Sequence, residues 1–197
     1  EDGAMSTRKG KVVWLEDVIE KCVEKAYTVI NDKNPALENK RDIAEKVGIG
    51  SVIFGALYNN KIKDIVFSYD KVLSFEGETG VYCQYTCARA NSVLQKAGEE
   101  RFTLPENLSV EPQEYEVVKT LSAFPEAVCD AAEKYEPSII ARYAVDLAQK
   151  FNKFYFDCKI LTAEPAAKGF RLQLTKAVLQ TLTNALSLLG IGVPEKM

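Results

Sequence analysis

The sequence predicts an all-α fold, a helical bundle preceded by a mostly helical connector, on two observations. Apolar residues recur at three- and four-residue spacing through most of the chain. Four prolines, Pro112, Pro125, Pro137 and Pro165, stand where a helix can begin rather than inside one. The stretch Ile62 to Ser74, which mixes β-branched and aromatic residues, reads as irregular or briefly extended.

Taken in order, the polar and basic start through Gly10 reads as a loop. Leu15, Val18, Ile19, Cys22 and Ala26 then mark one side of a helix from about Val13 to Ile30. Asn34-Pro35 suits the start of a second helix, which Gly48-Ile49-Gly50 should interrupt before a short helix from Ser51 to Leu57. Glu76-Gly77-Glu78-Thr79-Gly80 reads as a turn. Further helices are expected over Val81–Ala97, Gln113–Ala123, Pro125–Lys134, Pro137–Cys158 and Pro165–Leu189. In the last, Leu172, Thr175, Leu179, Leu182, Leu186 and Leu189 form a seam; in the one before it, Ile140, Ala144, Leu147, Phe151 and Phe154 form the facing stripe. Residues 1–80 therefore read as a loop plus connector and residues 81–197 as the bundle.

Composition narrows the chemistry. The 197 residues contain no histidine, which removes a Ser-His-Asp triad, a Cys-His pair and histidine-ligated zinc. The five cysteines are an odd number for a disulfide framework and read as reduced thiols in a reducing compartment. Cys83 and Cys87 could share a helix face, but no second pair lies near them, so no metal site is expected. No apolar run approaches the roughly 20 residues that span a bilayer, nor does the start have a signal-peptide layout. The chain therefore reads as soluble.

The net charge of −3 argues against a general nucleic-acid coat, yet the charge is unevenly spread. Glu99 to Glu136 holds 3 basic and 10 acidic residues, whereas Arg142 to Lys176 holds 7 basic and 3 acidic ones. One cationic face turned to a polyanion and two ordinary solvated surfaces both fit that distribution.

Three segments carry candidate chemistry. In Gly77-Glu78-Thr79-Gly80-Val81-Tyr82-Cys83-Gln84-Tyr85-Thr86-Cys87-Ala88-Arg89, Tyr82, Tyr85 and Arg89 fall on one helix face. Tyrosines stack on unpaired bases while Arg and Gln bond base edges or phosphate, which suits an RNA loop. Two half-buried bundle tyrosines would give the same pattern. The run Phe151-Asn152-Lys153-Phe154-Tyr155-Phe156-Asp157-Cys158-Lys159 places four aromatics in six positions, so some must reach a surface that the lysines make cationic. Nucleic acid and another polypeptide both fit that surface. The tail Gly190–Met197, apolar and containing Pro194, should dock rather than fray.

Together these residues resemble the arginyl-tRNA synthetases, class I aminoacyl-tRNA synthetases. Met5-Ser6-Thr7-Arg8-Lys9-Gly10 is similar to the class I signature loop, and Val13-Trp14-Leu15-Glu16-Asp17-Val18 to the helix after it. Val47-Gly48-Ile49-Gly50 and Phe75 to Tyr85 resemble the connector and the start of the anticodon-binding domain. Leu188-Leu189-Gly190-Ile191 and the closing Pro194-Glu195-Lys196-Met197 resemble the family's chain ends.

The resemblance implies that Tyr82, Tyr85, Tyr155 and Met197 shape or line the site for the anticodon loop, with Gln84 and Arg89 in the same motif. Lys150, Lys153, Lys159, Lys168, Arg171 and Lys176 would contact phosphates. Ser6, Thr7, Arg8 and Lys9 would be the remnant of the loop that closes on ATP phosphates. Ala4 stands at a usual lysine, Val81 at a usual proline and Cys87 where histidine is common. The His-Ile-Gly-His signature, the nucleotide-binding sheet and the domain that reads the tRNA elbow have no counterpart here. The implied identity is the carboxy-terminal part of a cytoplasmic, monomeric arginine–tRNA ligase, with no cofactor of its own. Its parent would use ATP with Mg, and its partners would be arginine tRNA and the rest of the synthetase chain. On that reading the piece alone is inactive. The alternatives are the same domain of a cysteinyl or methionyl enzyme, and a helical protein–protein adaptor.

Overall fold

A computed structural model describes residues 12–98 and 109–197. The signature-loop residues Ser6, Thr7, Arg8 and Lys9, and Ala4 before them, lie outside the described residues. Among the described residues eight helices follow one another: α1 Leu15–Lys33, α2 Lys40–Leu57, the single turn α3 Tyr69–Val72, α4 Gly80–Ala97, α5 Pro112–Ser122, α6 Phe124–Lys134, α7 Ser138–Asp157 and α8 Pro165–Leu188. No strand occurs among the described residues, and none of their helices is long and apolar enough to cross a membrane.

Local chemistry sets most boundaries. Thr79 caps α4: its Oγ1 accepts from the Tyr82 amide at 3.0 Å and donates to the Ser74 carbonyl at 2.6 Å. Gly98, at φ +73°, ends that helix. Pro112 opens α5, where the Glu111 amide donates to the Glu114 carboxylate at 2.7 Å. Tyr135 leaves α6 in the left-handed conformation, at φ +50°.

The connector departs from expectation in three places, the first being the helical turn α3 inside the stretch expected to be irregular or extended. The second helix begins at Lys40, after a turn through 35–39 that ends on left-handed Asn39; α1 runs on to Lys33, and this turn folds α2 back onto it. Gly48 and Gly50 then fail to interrupt α2. A Cβ on Gly48 would lie 2.7 Å from the Val23 backbone of α1, and one on Gly50 would lie 2.9 Å from both Gln84 Nε2 and Ile191 Cγ2. The glycines admit close neighbours inside a continuous helix rather than ending it.

Two apolar clusters hold the described residues together. The larger is built from α4, α7 and α8, with Val117 of α5 and Phe54 of α2. The facing stripe Ile140, Ala144, Leu147, Phe151 and Phe154 is buried throughout, as are Leu172, Thr175, Leu182, Leu186 and Leu189 of the seam, while Leu179 is half-buried. Each such large side chain contributes about 1.5–3 kcal/mol on burial. The smaller cluster joins Val23, Ala26 and Ile30 of α1 to Ala44 and Val47 of α2, and takes in Val81 of α4 and Met197. Phe54 and Val81 thus carry packing across the boundary expected between residues 80 and 81, so α4 is fixed against connector and bundle alike.

Candidate nucleic-acid interface

A cleft of about 520 Å³ opens where the two clusters meet. Its walls are the last turn of α1 with Lys33 and Asn34, the turn residues Phe75 and Glu76, the Tyr82–Tyr85–Arg89 face of α4, Asn152 of α7, and Met197. The cap on Thr79 sets where α4 begins and so aims that face.

Arg89 organises the polar side. Its guanidinium lies 4.8 Å from the centre of the Tyr85 ring and 5.1 Å from that of Tyr155, so two tyrosines from different helices flank one cation. It donates to Asn152 Oδ1, whose amide donates in turn to Thr86 Oγ1 at 2.9 Å; Thr86 donates to the Tyr82 carbonyl at 2.8 Å. Phe75 meets Tyr85 edge-on at 5.9 Å, and Lys33 Nζ sits 4.7 Å from the centre of the Phe75 ring. The site therefore offers aromatic rings and two cations around one carboxylate, Glu76. That combination accepts a planar, electron-rich group bearing phosphates.

Several expected residues meet there. Tyr82, Tyr85, Arg89 and Met197 line the cleft, and Tyr155, 41% exposed, flanks Arg89 from α7. The run 151–159 divides as expected: Phe151 and Phe154 are buried, while Tyr155 and Phe156 are exposed. Lys153 and Lys176 are exposed, Lys168 is half-buried, and Lys150 faces Glu116 at 3.4 Å. Lys159 is exposed just beyond α7.

Two assignments are corrected. Gln84 is fully buried and donates to the carbonyls of Lys46 at 3.0 Å and Gly192 at 2.7 Å, so it has no access to a base. Arg171 is largely enclosed and committed to Glu114, itself 1% exposed, at 2.5 Å, and to the Lys159 carbonyl at 2.8 Å. Its charge serves packing rather than phosphate. Sequence reasoning missed Lys33, Asn34, Phe75, Glu76 and Asn152. Three of these lay inside segments already singled out, Phe75 and Glu76 before α4 and Asn152 beside Phe151, but spacing alone did not aim them at the cleft.

The thiols of Cys83 and Cys87 are unsuited to surface chemistry. Burial pushes the Cys87 thiol up to about 12 and the Cys83 thiol well above its ordinary value, so both stay protonated near neutrality. No group of His, Cys, Asp and Glu among the described residues could hold a metal ion.

Comparison with known proteins places the chain in a family. Residues 83–197 match the family described as the DALR anticodon binding domain, and residues 1–69 match the class I (R) tRNA synthetase catalytic domain. The chain is 52% identical to an arginine–tRNA ligase of Halothermothrix orenii across all its length, covering 35% of that protein. It is 49% identical to that of Alkaliphilus metalliredigens, covering 98% of this chain and 34% of the other. The Thermus thermophilus arginyl-tRNA synthetase structure superposes with a TM-score of 0.89 at 36% identity, over 94% of this chain and 32% of that one. The chain thus spans about a third of the length of these relatives. It belongs to the arginyl-tRNA synthetase family, with the DALR anticodon-binding domain over residues 83–197.

Proposed function

We propose that the cleft between α1, α4, α7 and the chain end receives unpaired bases of the anticodon loop of an arginine tRNA. The observation that carries this is Arg89 held between Tyr85 and Tyr155 at the rim of a cleft closed by Met197. Rings from two helices stack on bases, and the guanidinium and Lys33 attract the phosphates between them. Lys153 and Lys159 extend the cationic surface along the stem.

The protein that carries this chain would then join arginine to its tRNA in the cytoplasm, as a monomer. Arginine and ATP, with Mg, would give arginyl-adenylate and pyrophosphate; the terminal ribose would take up the arginyl group and release AMP. The residues described here contribute recognition rather than that chemistry, so the isolated chain should show no arginine-dependent pyrophosphate exchange.

The test is a titration of the chain with an arginine anticodon stem-loop and with one whose middle cytosine is changed, at low and moderate salt. Tighter binding to the unchanged loop, weakening steeply with salt through counterion release, is expected. Binding indifferent to both base and salt would point to an apolar protein interface instead.

A further inference from the structure

Gln84 and Asn91 are used by neither the cleft nor plain packing. They stand seven residues apart on α4, two helical turns, and so share one face. Both hold the chain end by its backbone: Gln84 Nε2 donates to the Gly192 carbonyl at 2.7 Å, and Asn91 Nδ2 to the Glu195 carbonyl at 3.0 Å. Two turns of helix rise about 10.5 Å, and three extended residues reach about 10 Å, so the amides and carbonyls are in register. Gln84 also donates to the Lys46 carbonyl of α2 at 3.0 Å, and Gly50 leaves the space this needs. Ile191, 3% exposed, and buried Pro194 fix the same segment from its apolar side.

Gln84 Oε1 is buried without a hydrogen-bond partner among the described residues. A half-satisfied carboxamide costs stability that a leucine would not. What its amide holds accounts for a carboxamide at this buried position. Two residues beyond Glu195 stands Met197, which lines the cleft.

We propose that Gln84 and Asn91 are positioning residues that clamp the chain-end backbone to α4 and thereby hold Met197 in the base-receiving cleft. The clamp rests on the cleft's reading as an RNA site, but its first readout does not need RNA. The chain has two methionines, Met5 and Met197, so methyl-13C labelling gives two signals, and Met197→Leu identifies the second. In the wild-type chain the Met197 methyl should be displaced by the rings around the cleft. Gln84→Leu should return it to the position of free methionine, and Asn91→Ala should move it part of the way. Binding of the arginine anticodon stem-loop should weaken about tenfold in Gln84→Leu, the order expected for one or two lost hydrogen bonds. In a chain shortened to end at Gly192, Gln84→Leu should cause no further loss.

A Met197 signal unchanged in both variants would overturn the proposal, whatever RNA does. If Gln84→Leu does not fold, Asn91→Ala, at a bond on the surface, decides alone: an unmoved methyl overturns the clamp. A displaced methyl with no RNA binding by wild type would keep the clamp and remove the RNA reading.

Discussion

The two edges of α7 use similar residues to opposite ends. Toward α4, Arg89 lies between Tyr85 and Tyr155 and faces an open cleft. Toward α5 and α8, Arg171 is enclosed against Glu114 and donates to the Lys159 carbonyl, and Gln113 donates to Asp157 at 3.1 Å. An arginine beside a carboxylate that is 1% exposed has its charge spent within the fold. An arginine held by rings and one neutral amide keeps its charge available to a ligand. A count of positive charges along α7 and α8 does not distinguish these two cases; the neighbours do.

The largest way to break the comparison is at the closed edge. Arg171→Leu leaves the Glu114 carboxylate buried and unpaired, and should cost about 3–5 kcal/mol of stability in urea unfolding. While the variant remains folded, its RNA affinity should be near wild type. Tyr155→Ala should do the reverse, removing about 1–3 kcal/mol of stem-loop binding with a much smaller loss of stability, since the ring is 41% exposed. Lys153→Gln should act more weakly still: affinity falls for every RNA sequence alike, and the slope of log K against log salt flattens by about 1.

The pH dependence of stability sharpens the closed edge. Burial, and then Asp146, pushes the Tyr143 hydroxyl up to about 12, and this hydroxyl donates to the Thr120 carbonyl at 3.0 Å. The unfolded tyrosine releases its proton near its ordinary value of 10.0. The stability from the raised value is therefore whole below about pH 10 and is lost as pH rises toward about 12. The same holds for Cys87 from its ordinary value of 9.0 upward. Unfolding free energy should be insensitive to these groups between pH 6 and 8, in roughly the range where they stay protonated, and should fall above pH 9.

Much of this was legible from the residues. Prolines and Gly98 punctuate the bundle, and α4 to α8 begin and end within a residue or two of their expected bounds. The shared face of Tyr82, Tyr85 and Arg89 followed from helical spacing. What spacing could not give was the partner across a gap. Gly48 and Gly50 read as breakers because the Val23 backbone and the Gln84 amide that require them are distant in sequence. Gln84 read as a ligand contact because it sits beside Tyr85, although it falls three after Val81 and four before Ala88, both buried. That stripe was the available signal. Arg171 carried a similar one, four residues before Thr175 of the seam. Lys33 and Asn152 joined the cleft only through tertiary packing.

The most direct measurement places the RNA on one edge or the other. A stem-loop carrying a photoreactive 4-thiouridine beside the middle anticodon base should, on irradiation with the chain, crosslink to peptides holding Tyr82–Arg89, Tyr155 or the segment ending at Met197. Crosslinks confined to α5, or to residues 159–176 around Arg171, would contradict the division between an open, reading edge and a closed, structural one.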